Sequence, residues 1–137
     1  MEFSLPIRVY YEDTDAGGVV YHSKYLNYFE RARTEALRTL GFEQDELIKN
    51  DDTLFAVRSI QVDYLKPARF NDEITVKTRI EQLKKASMTF TQSICPKDSN
   101  EVLCSLTARV ACLTASRLKP RAIPEAILNK VEALRAG

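Results

Sequence analysis

The sequence predicts an α+β fold in which a strongly curved, antiparallel, five-stranded sheet wraps around one long central helix. Two observations set the elements. A stretch near the N-terminus, Ser23 to Gly41, repeats its apolar residues at helical spacing, and four later stretches alternate with the period of a strand. A third sets their arrangement: one long helix cannot cover five strands unless the sheet curls around it.

In chain order, Leu5 to Tyr11 is β-branched and aromatic and reads as a strand leading into an acidic loop. From Ser23, Tyr25, Leu26, Phe29, Ala32, Ala36, Leu37 and Leu40 recur at steps of three and four. Glu30, Arg31, Arg33, Glu35 and Arg38 fall on the wetter side. Ser23 is the expected N-cap and Gly41 the expected C′ residue. Ala32 and Ala36 allow a sheet to approach closely. Glu43 to Asn50 adds a short second helix.

The period then changes to two. Val57, Ser59, Gln61 and Asp63 alternate with Arg58, Ile60, Val62 and Tyr64. Ile74 to Ile80, Met88 to Ile94 and Leu106 to Cys112 supply three further alternating sets. Turns fall at Lys66-Pro67-Ala68-Arg69, Lys84-Lys85-Ala86 and Pro96-Lys97-Asp98-Ser99-Asn100, and the shortest favour antiparallel hairpins. Pro124 opens a last helix, Glu125 to Arg135, with proline at its first position. Edge strands and the outer sheet face stay uncovered, which favours dimerisation or higher assembly.

A length of 137 residues suits one domain, 1–137, and a formal charge of +1 gives no electrostatic reason for a nucleic-acid partner. No apolar run reaches the ~20 residues of a membrane span. The opening Met1-Glu2-Phe3-Ser4-Leu5-Pro6 lacks a signal-peptide pattern, so the expected location is cytoplasmic. Cys95, Cys104 and Cys112 lack metal-ligand spacing and read as reduced packing residues. With His22 the only histidine, no metal site is expected.

The chemistry concentrates between Tyr11 and His22, where three carboxylates, two adjacent glycines and the histidine precede the helix. A helix N-terminus offers unpaired N–H groups and partial positive charge, suited to a developing oxyanion. A carboxylate beside such donors can attack or hydrate an activated carbonyl. Gly17 and Gly18 provide a tight turn that admits substrate close to backbone N–H groups. Asp13 reads as a turn-capping residue.

The run Tyr11-Glu12-Asp13-Thr14-Asp15-Ala16-Gly17-Gly18-Val19-Val20-Tyr21-His22, continued through Tyr25 to Glu30-Arg31-Ala32-Arg33, resembles a known signature. It is that of hotdog-fold acyl-CoA thioesterases of the 4-hydroxybenzoyl-CoA thioesterase type, nearest the bacterial subgroup associated with the Tol–Pal envelope system. The similarity runs from about Ile7 to Pro124. It implies a hotdog fold, a dimer or dimer of dimers with sites at the dimer interface, and hydrolysis of short- to medium-chain acyl-CoA.

By the same resemblance Asp15 is the nucleophile or general base, and the backbone N–H of His22 polarises the thioester carbonyl. The aromatic-substrate relative has a tyrosine at His22. The His22 side chain is then available to orient water, bond Asp15 or protonate the leaving thiolate. Tyr21 joins Asp15 and His22 as a catalytic candidate, although Tyr21 and Tyr25 read more readily as pocket wall. Tyr25, Phe29 and Glu30 are expected at the acyl pocket, with Glu30 pairing to Arg33 as the structural alternative. Lys84, Lys85, Lys119 and Arg121 match positions that hold CoA phosphates.

No cofactor is implied, because coenzyme A is part of the substrate. Acyl carrier protein presents the same phosphopantetheine arm and is the alternative partner. A hotdog dehydratase needs a histidine–acid pair that His22 and Asp15 mimic only loosely. A non-catalytic acyl-thioester binding module would have no use for Asp15.

Overall fold

The computed structural model describes residues 1–136. The elements are β1 (Phe3–Arg8), a 3₁₀ turn (Tyr11–Asp13), α1 (His22–Thr39), α2 (Gln44–Asp51), β2 (Thr53–Tyr64), β3 (Glu73–Leu83), β4 (Ser87–Pro96), β5 (Cys104–Thr114) and α3 (Glu125–Ala136). All five strands form one antiparallel sheet in the order β1-β3-β4-β5-β2. Its inner face closes on α1, whose Tyr28, Phe29, Ala32, Ala36 and Leu37 are buried. Complete burial of a side chain like Phe29, which is 0% exposed, is worth about 1.5–3 kcal/mol.

Two boundaries beside the acidic loop differ from the sequence expectation, and one at the far end of α1 agrees with it. β1 ends at Arg8 rather than Tyr11, because the chain tightens into the 3₁₀ turn and the Asp13 carboxylate accepts the Tyr10 N–H at 3.0 Å. α1 begins at His22, and its N-cap is Tyr21 in extended backbone rather than Ser23. At the other end Gly41 has φ +97°, its N–H reaches the Arg38 carbonyl, and the Phe42 N–H reaches that of Leu37. This double closure is the Schellman arrangement, and it confirms Gly41 as the C′ residue.

Arg33 is not on the wet side of α1. It is 7% exposed, in line with Tyr25, Phe29 and Leu37 at four-residue spacing. Its NH1 donates to Gln92 Oε1 at 2.8 Å, and Gln92 Nε2 donates in turn to the Phe29 carbonyl and to Thr78 Oγ1. No ion pair joins Arg33 to Glu30 among the described residues.

β2 carries a second surprise. The register with β5 slips between Val57 and Ser59, so Val57, Ile60, Val62 and Tyr64 lie opposite Val110, Ala108, Leu106 and Cys104. Directly paired residues share a face, so the bulge at Arg58 turns all four toward the helix side. Strict alternation had put Val57 and Ile60 on opposite faces. Yet Val57, Ile60 and Tyr64 are 46%, 39% and 50% exposed. α1 packs against β1 and β3 while α2 meets β2, and two separate pockets are lined by both α1 and β2, one at His22 and Tyr64 and one at Arg33 and Val57.

Candidate active site

The segment from Tyr10 to His22 is a closed loop fastened at its base. Thr14 and Val20 form a bridge, the Tyr21 N–H donates to the Asp13 carbonyl at 2.9 Å, and Val20 donates to the Ala68 carbonyl at 2.8 Å. These bonds hold the acidic limb against the first turn of α1. Asp13 therefore works within the protein, with its carboxylate on Tyr10 and its carbonyl on Tyr21. Tyr28 lies beneath it, buried, with a hydroxyl near the Asp13 carboxylate that makes no well-aligned hydrogen bond. Burial, reinforced by the Asp13 carboxylate, pushes the Tyr28 pKa up.

Asp15 sits at the exposed tip. Its main chain closes the turn by receiving Gly18 N–H and donating to Val19, while Oδ1 accepts Gly17 N–H at 2.8 Å. One carboxylate oxygen is thus anchored, and Oδ2 has no protein hydrogen bond among the described residues. Gly18 has φ +77°, a backbone that only glycine adopts cheaply. A Cβ at Gly17 would come 3.2 Å from Asp15 Oδ1.

The helix start has spare donors. Tyr21 caps it without a side-chain bond, no acid lies in the first turn, and neither His22 nor Ser23 N–H meets a protein acceptor among the described residues. These donors carry the positive end of the helix dipole. The His22 ring stacks beside Tyr21, centroids 4.4 Å apart. A cavity of ≈ 270 Å³ adjoins them, lined by Val20, His22, Tyr25, Tyr64, Leu65 and Pro67 among others.

Tyr25 forms the inner wall, with its hydroxyl accepting Ala68 N–H at 3.0 Å. Burial raises its pKa against the lowering effect of that bond, and the Asp15 charge adds to the rise. Phe29 belongs to the core behind this wall, and Glu30 lies exposed at a different pocket further along α1. Sequence reasoning had passed over Tyr64 and Ala68. Tyr64 stacks edge-on against Tyr25, and its hydroxyl donates to the His22 carbonyl. In the sequence Ala68 reads only as part of a turn.

The four basic candidates gather elsewhere. The Lys85 carbonyl accepts Ile123 N–H, Cys112 N–H reaches Ala86, and Arg121 N–H returns to Cys112. These bonds bring the Lys84-Lys85 turn beside the Lys119–Arg121 segment. The Arg121 guanidinium donates to the Asp51 carbonyl at 2.7 Å. This cluster lies at the far end of β3 from the acidic loop, a strand of 11 residues or about 36 Å. One chain therefore does not bring Asp15 and these cations together. No group of three or more potential metal ligands occurs among the described residues.

A five-stranded antiparallel sheet curled on a long helix, with an acid-bearing loop at the helix start, defines a hotdog protein of the thioester-hydrolysing class. The chain belongs to the thioesterase superfamily, whose sequence model matches residues 17–103, beginning just after Asp15. It is 44% identical over 125 residues to the acyl-CoA thioesterase YbgC of Haemophilus influenzae, covering 91% of this chain and 90% of that protein. The acyl-CoA thioester hydrolase YbgC of Escherichia coli is 44% identical over 126 residues, covering 92% of each. A probable thioesterase from Bartonella henselae superposes with a TM-score of 0.84 at 35% identity, over 90% of this chain and 100% of that one. A DHNA-CoA thioesterase from Staphylococcus aureus shares the fold at a TM-score of 0.90 and 22% identity, over 98% and 91%.

Proposed function

We propose that this enzyme hydrolyses the thioester of short- to medium-chain acyl-CoA, giving a free acid and CoA. The observation that carries the reading is the fastened loop. It carries a half-anchored Asp15 carboxylate on the limb that the Asp13–Tyr21 bond and the Thr14–Val20 bridge tie to a helix start whose His22 N–H has no protein acceptor among the described residues. The likeness to the YbgC relatives supports CoA as the carrier, and the signature from Asp13 to Arg33 supports the Tol–Pal-associated subgroup.

A thioester needs little more, since its carbonyl is electrophilic and thiolate leaves readily. In one route an Asp15 oxygen adds to the carbonyl carbon, the C–S bond breaks to release CoA thiolate, and water then hydrolyses the mixed anhydride. In the other, Asp15 takes a proton from water, the hydroxide adds, and the tetrahedral intermediate expels the thiolate. Both place negative charge on the carbonyl oxygen, which the His22 N–H would stabilise. A single donor of this kind contributes on the order of 2.7–4 kcal/mol.

The site is completed, in this reading, by a second copy of the chain. The exposed inner-face residues of β2 and the separation of Asp15 from Lys84 and Arg121 both support a dimer, or a dimer of dimers, in which the partner brings its own cations to the CoA phosphates. The working location is the cytoplasm. No helix among the described residues is long and apolar enough to cross a membrane.

CoA release from a panel of acyl-CoA esters, comparing wild type with Asp15→Asn, tests the proposal. The expected result is a loss of several orders of magnitude in turnover with unchanged assembly. No release from any ester by the wild type would sink it, and hydrolysis on acyl carrier protein or plain thioester binding would then lead.

A further inference from the structure

We propose that Arg33 reads the far end of the acyl group and that the enzyme favours acyl chains ending in a carboxylate. The inference rests on the thioesterase reading for the position of the thioester, and on the two pockets between α1 and β2 for the path of the chain.

Two pockets lie between α1 and β2, one at each end of the stretch over which these elements face each other. At one, the 270 Å³ cavity is bounded by His22 of α1 and Tyr64 of β2. At the other, a pocket of ≈ 60 Å³ is bounded by Arg33 and Leu37 of α1 and by Phe55 and Val57 of β2. The same two elements line both, running antiparallel to each other. Between the ends lies Ile60 on the inner face of β2, exposed in the single chain and on the face that the proposed dimer would share with the acyl path. Eleven residues separate His22 from Arg33, which at 100° each returns Arg33 to nearly the same helix face, about 16 Å along the axis. Helical side chains lean toward the N-terminus, which brings the guanidinium back toward the thioester end.

Arg33 is chemically incomplete. A buried cation is costly unless it is paired, and its one hydrogen-bond partner among the described residues is the neutral amide of Gln92. Gln92 is itself fixed by its two donor bonds, so its Oε1 holds NH1 and aims the rest of the fork. Nε and NH2 have no protein acceptor among the described residues. That planar edge fits a carboxylate better than any neutral group. Glu30 lines the same pocket, exposed at its rim, and its charge acts on Arg33 without forming an ion pair with it.

The test uses non-hydrolysable thioether analogues of acyl-CoA, in a ladder of chain lengths, ending in methyl, hydroxyl or carboxylate. Binding is measured by calorimetry to wild type, Arg33→Met and Arg33→Lys, and kcat/KM is measured for the matching thioesters. At the length that reaches Arg33, the carboxylate end should bind wild type about tenfold to a hundredfold more tightly than methyl, the worth of a charge-assisted hydrogen bond. Arg33→Met should reverse that preference and Arg33→Lys should keep part of it.

A wild type that prefers methyl or hydroxyl ends at every length overturns the inference, even if no variant folds. So does an Arg33→Met protein, intact in assembly, that weakens all three ligands equally. Absence of CoA release with the carboxylate preference intact removes the hydrolase reading and leaves this one standing. Release without the preference does the reverse.

Discussion

The hydroxyl of Tyr64 donates to the main-chain carbonyl of His22 at 2.9 Å, tying the last residue of β2 to the first residue of α1. Forty-two residues apart in sequence, the two meet where the proposed oxyanion donor must be held still. Tyr64→Phe removes the bond and keeps the ring against Tyr25. Stability should change by about 1 kcal/mol or less, while kcat falls about tenfold, the equivalent of roughly 1.4 kcal/mol lost in positioning. Steady-state kinetics beside a denaturant melt separates the two effects.

The glycine pair gives a graded test. Gly18 at φ +77° accepts valine only with strain above the roughly 1–2 kcal/mol of an ordinary side chain, so Gly18→Val should abolish most turnover while the sheet stays folded. Gly17→Ala is milder in backbone terms but sets a methyl 3.2 Å from Asp15 Oδ1. It should lower kcat with little change in KM. Normal turnover in either variant would separate the loop from catalysis.

If the cations at the far end of β3 hold CoA phosphates, Lys84→Ala with Arg121→Ala should raise KM for CoA esters and leave kcat alone. Arg121 also braces the Asp51 carbonyl, so a stability loss of about 1 kcal/mol is expected from that variant. An unchanged KM would remove the assignment.

Cys104 is 0% exposed, and burial pushes its thiol up to about 12 from 9.0, with the Asp63 charge adding to the rise. The folded chain therefore keeps a proton that the unfolded chain gives up. Its contribution to stability is complete below about pH 9 and is lost as pH rises toward 12. Urea midpoints should fall across that window more steeply for wild type than for Cys104→Ala. At pH 8 the native thiol should resist alkylation and react only on unfolding.

Much of this was legible in the sequence because it was periodic. The α1 stripe, the alternating strands, the turn residues and the Schellman glycine each carry a local physical signature. The acidic loop was legible because three carboxylates and two glycines rarely precede a helix without purpose. What escaped depends on distant partners. Arg33 occupies a buried stripe position, but its charge outweighed its spacing, and the clue was Gln92 on the inward phase of β4. The bulge at Arg58 left no mark in the pattern, so the helix-side exposure of Val57 and Ile60 could not be read. Tyr64 and Ala68 belong to the site only because the fold brings residues 64–68 against residues 20–25.

The strand order also dictates a timetable for synthesis. β1 has no sheet partner until β3 exists, and β2 has none until β5 emerges, some fifty residues later. The β1–β3 pair is the first part of the sheet able to form as the chain leaves the ribosome, the β3–β4 hairpin follows, and β2 waits longest, for β5. Until then β2 is an unpaired ribbon bearing Val57 and Ile60, the sort of segment that chaperones hold and that aggregates when released early. A chain stopped before Cys104 should therefore be recovered in the insoluble fraction, and the last quarter of the chain acts as a licence for what precedes it.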